Sequence, residues 1–103
     1  MKLLKNPAEC NNKEEIRAQI DKIDKEIIKL FALRFQYVNE IVKYKSNVES
    51  VVASERKNHV IRVRGEWAEE QGLDKETFEQ IYRYLLDYNI GKELEILNKR
   101  INS

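Results

Sequence analysis

The sequence predicts an all-α chain of three helices with a long first helix, and three observations carry that reading. Its 103 residues include only three Gly and one Pro, too little punctuation for strands and hairpins, which need turn residues every ten positions or so. Apolar residues recur at spacings of three and four along most of the chain. Charged residues make up 36% of the chain, but 19 cations nearly cancel 18 anions and 42% of the residues are hydrophobic, so the chain can fold rather than remain disordered. The length fits one domain spanning residues 1–103.

The first helix is expected to begin at Asn12, a capping residue, with Glu14 and Glu15 in the first turn, where carboxylates suit the helix dipole. It reads unbroken to about Ser46. Ile16, Ile20, Ile23, Ile27, Leu30, Arg34, Tyr37, Ile41 and Tyr44 form a heptad seam, with Arg34 standing where an apolar side chain is expected. Ile28, Phe31, Phe35, Val38 and Val42 form a second stripe beside it, so the helix is apolar over a wide arc and needs covering on more than one side. Residues 13–46 as one helix would extend about 50 Å. A compact chain of this size has a radius of gyration of about 13 Å, so an intertwined or side-by-side helical homodimer is expected.

Ser46 to Ser54 lacks helical periodicity and reads as a loop, which Val48, Val51 and Val52 would pack against the rest. The second helix is expected from about Glu55 to Gln71, with Arg56, Val60, Val63 and Trp67 on one stripe and Gly72 as its left-handed terminator. Asp74 caps a third helix that runs to about Ile101 through Phe78, Ile81, Tyr82, Leu85, Leu86, Ile90, Leu94 and Leu97. Trp67 and the tyrosines are expected in the core, His59 on the surface and Cys10 as a small buried side chain.

Composition narrows the function classes. A formal net charge of +1 provides no global field for nucleic acid or an acidic membrane. The single Cys allows no internal disulfide or cysteine-based zinc site, and no stretch has the ~20 apolar residues of a membrane span. A cytoplasmic location is therefore expected, with no structural zinc.

The polar residues on core-like faces are the candidate site: Arg34, Arg56, Asn89 and Glu93, together with Lys45. Asn89 and Glu93 are four apart, so they stack on one helix face among leucines and isoleucines. Lys45 follows Arg34 by eleven residues, three turns nearly in phase, or about 16 Å along one helix. Long cationic side chains at that spacing could bracket a small dianion. Arg17 precedes Arg34 by about 25 Å of helix, so it would reach a shared ligand only from an antiparallel partner. Taken singly, each has an ordinary alternative: a solvated cation, a register-setting arginine or a rim polar residue.

Ile16-Arg17-Ala18-Gln19-Ile20-Asp21-Lys22-Ile23-Asp24, Leu33-Arg34, Lys45, Glu55-Arg56 and Ile90 to Glu93, in that order and at those separations, resemble the AroQ class of all-helical chorismate mutases. The resemblance covers nearly the whole chain. Pro7 to Cys10, Tyr37-Val38 and the run Trp67 to Leu73 look more like the branch that includes the isochorismate-pyruvate lyases. The resemblance implies an intertwined dimer with two pockets, each receiving Arg17 from the other subunit. Arg34 and Arg56 would then bind substrate carboxylates, and Lys45 a carboxylate and the ether oxygen. Glu93 would act on the same ether oxygen, while Asn89 and Ile90 would line the pocket.

Those residue types suit the reaction. Chorismate rearranges through a cyclic transition state in which an ether C–O bond breaks as a C–C bond forms, with no nucleophile, metal or cofactor. Guanidinium groups can clamp both carboxylates and hold the reactive conformer. An ammonium can stabilise charge growing on the ether oxygen. Glu93 donates only when protonated, so activity that depends on its donation falls as pH rises, and Glu93→Gln should flatten the profile.

Two positions depart from the mutase pattern. Lys57 follows Arg56 where mutases often carry a Glu that reads the ring hydroxyl, and Ala53 stands at a nearby acidic position. The expected activity is chorismate mutase. The alternatives are an isochorismate-pyruvate lyase, which would use the same clamps and donor, and a catalytically silent helical dimer with an interaction or regulatory role.

Overall fold

A computed structural model describes residues 5–102. A 3-10 turn, Pro7–Glu9, precedes α1, Lys13–Ile41; a second 3-10 turn, Val42–Tyr44, leads to α2, Val48–Val52, then α3, Ser54–Glu70, and α4, Lys75–Ile101. The three long helices match the expected class. Among the described residues no helix is long and apolar enough to cross a membrane. The chain forms two compact units that divide between Gln36 and Tyr37.

In the N-terminal unit, the Asn12 side chain accepts the Glu15 N–H at 2.9 Å, which is the cap expected of it. Glu15 reciprocates by accepting the Asn11 N–H at 2.8 Å, and Lys5 lies 3.0 Å from the same oxygen. The Asn11 amide and, secondarily, Lys5 hold the Glu15 carboxyl below its ordinary value. Cys10 is half-buried rather than buried.

α1 has 29 residues, about 43 Å, and none of them is buried. Its seam stays open in the single chain: Leu30 is 63% and Tyr37 71% exposed, and Ile16, Ile20 and Ile27 are exposed too.

α1 also ends earlier than its periodicity suggests, at Ile41 instead of about Ser46. Lys45 therefore does not continue the face of Arg34; it sits in extended backbone, φ −114° and ψ 128°, after the 3-10 turn. Helix propensity is worth only tenths of a kcal/mol per residue here, and contacts from α4 to Val42 and Lys45 outweigh it.

In the C-terminal unit, α3 packs on α4, with α2 and the Val42–Tyr44 turn against α4 as well. Among the described residues, Val42, Val51, Val60, Ile61, Ala68 and Leu97 are the buried apolar side chains. Part of the expected loop is helical: the Asn47 side chain accepts the Ser50 N–H at 2.8 Å, and Ser50 Oγ takes the Asn47 N–H, a reciprocal cap that starts α2. Of the three valines expected to pack, Val51 is buried, Val52 half-buried and Val48 exposed.

Ala53 ends α2 and begins α3 with φ 39° and ψ 59°, a left-handed conformation costly for a residue with a Cβ. Its carbonyl accepts the first backbone bond of α3, from the Lys57 N–H at 2.9 Å.

The buried face of α3 runs through Val60, Ile61, Gly65 and Ala68. That face is displaced from the Arg56, Val60, Val63, Trp67 stripe. Gly65 explains the shift, because a Cβ there would lie 2.7 Å from Cγ of Glu79 on α4. α3 therefore approaches α4 through its own small residues, Gly65 and Ala68, which leaves Trp67 52% exposed beneath the Arg64 guanidinium. Tyr37, Tyr44, Tyr84 and Tyr88 are exposed instead of core, and Tyr82 is half-buried. His59 is exposed as expected.

Gly72, φ 78°, terminates α3 as expected, with the Leu73 N–H on the Ala68 carbonyl at 2.9 Å and the Gly72 N–H on that of Glu69 at 3.0 Å. Asp74 caps α4 by accepting the Thr77 N–H at 3.0 Å. The Thr77 hydroxyl and then its amide keep the Asp74 carboxyl below its ordinary value.

Candidate active site

The turn after α1 and one face of α4 bring three of the candidate residues to one place. Lys45 donates its N–H to the Val42 carbonyl at 3.0 Å, which closes the 3-10 turn. Its side chain reaches α4, where Nζ lies 2.7 Å from Glu93 Oε1. The Glu93 side chain is 6% exposed and that of Lys45 20%, so the pair is largely removed from water. Removing two charges from water costs several kcal/mol, which close pairing must offset. Asn89, one turn before Glu93 on the same face of α4, is 3% exposed.

These polar residues interrupt the apolar side of α4, and both are buried with Leu97 inside the unit. The rim position that would make them ordinary is therefore excluded. Ile90 is half-buried next to Asn89, consistent in type with a pocket wall.

Glu93 is an acceptor as it stands, holding the Lys45 ammonium; donating would require a proton on it. An ammonium has three N–H donors, so one carboxylate oxygen does not exhaust Lys45. The arrangement presents a fixed cation at low dielectric, suited to stabilising negative charge on an incoming oxygen.

The arginines are placed differently. Arg17 is exposed and Arg34 half-buried, both on α1 in the N-terminal unit. Arg56, in the first turn of α3, is exposed and does not head a buried stripe, because the contact face of that helix lies elsewhere.

Two further contacts bear on the site and were not foreseen. Lys57, the residue that departs from the mutase pattern, forms an ion pair with Asp87, tying the start of α3 to α4 two residues before Asn89. Arg100, in the last turn of α4, donates Nη1 to the Val42 carbonyl at 3.0 Å and Nη2 to the Lys45 carbonyl. Sequence alone makes Arg100 only a cation suited to a helix C-terminus. Its partners lie 55 and 58 residues away, beyond any local pattern.

Residues 16–95 match the family model of chorismate mutase type II. The chain is 29% identical over 92 residues to the isochorismate pyruvate lyase of Pseudomonas aeruginosa, an alignment covering 89% of this chain and 91% of that protein. It is 30% identical over 91 residues to the T-protein of Haemophilus influenzae, covering 87% of this chain but 24% of that one. The chain thus spans about a quarter of that second relative.

Proposed function

The chain belongs to the chorismate mutase type II family, and on that premise we propose that it rearranges chorismate to prephenate. The observation that carries this reading is the buried Lys45–Glu93 pair beside Asn89, held at 2.7 Å on one face of α4. In the rearrangement the ether C–O bond breaks while a C–C bond forms, and the ether oxygen gains negative charge at the transition state. Lys45 donates to that oxygen and to a substrate carboxylate. The preformed pair with Glu93 spares the ammonium reorganisation when charge develops. Glu93 itself donates to the ether oxygen only in its protonated form.

Arg34 and Arg56 clamp the two substrate carboxylates, removing conformational freedom that would otherwise add to the barrier. Asn89 and Ile90 shape the pocket. The reaction proceeds without metal or cofactor, since no bond change needs a nucleophile or redox partner.

The working unit is a homodimer in which Arg17 of the partner subunit completes the pocket. Its support is α1, where an apolar seam with no buried residue needs cover from a second copy. The family match crosses the boundary between the two compact units, which supports treating residues 1–103 as one domain.

Elimination of pyruvate from isochorismate is the second reading, favoured by a relative of that name aligned over 91% of its length and by Lys57 in place of the hydroxyl-reading Glu. It would use the same clamps and ether donor, with hydrogen transfer accompanying the loss of pyruvate.

The test is to incubate the purified protein separately with chorismate and isochorismate. Prephenate supports the mutase; salicylate plus pyruvate supports the lyase. No turnover of either leaves a silent helical dimer. Arg34→Ala abolishes whichever activity is found while helicity and dimerisation persist, and sedimentation as a stable monomer at micromolar concentration would remove the shared site.

A further inference from the structure

We propose that Arg100 is a positioning residue that fixes Lys45 by its backbone, so that α4 holds this lysine at two points. The role rests on the reading of Lys45 given above. Glu93 binds the end of the side chain, at 2.7 Å, and Arg100 binds the main chain at the other end through the Val42 and Lys45 carbonyls. Glu93 and Arg100 are seven residues apart, two turns nearly in phase and about 10 Å along the helix. One rigid element thus grips both ends of one side chain.

The need for a second grip follows from the local backbone. Lys45 stands beyond the end of α1, in extended conformation, and its N–H bond to the Val42 carbonyl is the 3-10 closure. The Val42 carbonyl, which accepts that bond, has a second lone pair to offer. Arg100 supplies charged donors to it and to the Lys45 carbonyl at once, across the 3-10 closure. A planar guanidinium has donors spaced to bridge two acceptors; an ammonium is a single point. Without the bridge, rotation about the Lys45 backbone would let Nζ wander although Glu93 remained in place.

The test is Arg100→Lys, which keeps the cation at the end of α4 and removes the fork, with Arg100→Gln as a second variant. Lys99→Met, removing an exposed neighbouring cation in the same last turn, serves as a control expected to retain wild-type turnover. Two readouts are taken. The first is the nitrogen-15 resonance of Lys45 Nζ and its proton exchange, assigned by its disappearance in Lys45→Met. The second is steady-state kinetics with whichever of chorismate or isochorismate the wild type consumes.

In Arg100→Lys the Lys45 resonance shifts and exchanges faster, and kcat falls about tenfold with KM nearly unchanged. Arg100→Gln gives the same change in the resonance and an equal or larger loss. An unaltered Lys45 resonance overturns the proposal, since any loss of rate would then come from elsewhere. An altered resonance with undiminished kcat, where Lys45→Met is inactive, also overturns it. If Lys45→Met is as active as the wild type, or neither substrate reacts, the catalytic reading of Lys45 fails instead, and the resonance alone decides whether Arg100 holds it.

Discussion

Lys45→Met separates the two parts of the ion pair because it removes the cation while retaining most of the side-chain volume. It leaves the Glu93 carboxylate, 6% exposed and formerly 2.7 Å from Nζ, without that counter-charge. Stranding one member of a buried pair costs about 3–5 kcal/mol. The 20% exposure of Lys45 gives water some access to the vacated end, which places the expected cost near the lower bound, about 3 kcal/mol. Against a domain stability of roughly 5–15 kcal/mol, that is a large fraction. Glu93→Gln keeps an acceptor for the ammonium and discards only the charge, so it costs about 1 kcal/mol. The double variant has no stranded carboxylate and is expected to be more stable than Lys45→Met alone, by about 1–2 kcal/mol. Urea unfolding of the four proteins at one equal concentration measures these differences. Turnover is expected to behave differently: both proteins lacking Lys45 are inactive, while Glu93→Gln, whose amide can donate as well as accept, retains activity. A double variant no more stable than Lys45→Met would refute the argument that a buried carboxylate depends on this lysine.

Three local features give further expectations. Ala53→Gly relieves a left-handed residue at φ 39° and raises stability by roughly 0.5 kcal/mol after the flexibility glycine adds to the unfolded chain; thermal unfolding reads the gain. Gly72→Ala does the reverse at φ 78°, where an added Cβ meets no atom within 4 Å, so it lowers stability by about 1 kcal/mol through backbone conformation alone. Asp74, whose carboxyl is held below its ordinary 3.8 by the Thr77 hydroxyl and amide, supports folding above that value and loses the contribution as pH falls through its depressed folded value. Asp74→Asn keeps a capping side chain without the titration, so its stability declines less between neutral and acid pH than that of the wild type, as circular dichroism during acid titration would show.

Legibility in the sequence followed how locally each feature is determined. Asn12, Gly72 and Asp74 act on backbone groups within a few residues of themselves, and all three marked helix ends correctly. The Asn47–Ser50 cap is equally local, but its helix is only five residues long and offers no periodicity to notice. The end of α1 was not local at all. Ile41 to Tyr44 continue the heptad spacing, and the helix stops because α4, half a chain away, takes the carbonyls of Val42 and Lys45. The contact face of α3 was misread because large residues marked the stripe, whereas close approach to α4 selects the small ones, Gly65 and Ala68.

For the site, Asn89 and Glu93 were visible as polar breaks in an apolar face, and their burial agrees. Lys45 pairs with Glu93, but the helical phase with Arg34 on which the sequence groups it is not kept in the structure. Arg100 and the Lys57–Asp87 contact depend on tertiary pairing, so composition and spacing carried no mark of either as a partner in the site.

The interior of the C-terminal unit is thin: among the described residues its buried apolar side chains are Val42, Val51, Val60, Ile61, Ala68 and Leu97, and Asn89 and Glu93 are buried in the same unit. A large enzyme can revise its active site while a separate core absorbs the strain. On the proposed function, a substitution at residue 89 or 93 that altered substrate preference would also change interior packing and charge. Evolvability is then limited by folding before chemistry, and variants with altered selectivity should arise most readily where stability has first been added elsewhere.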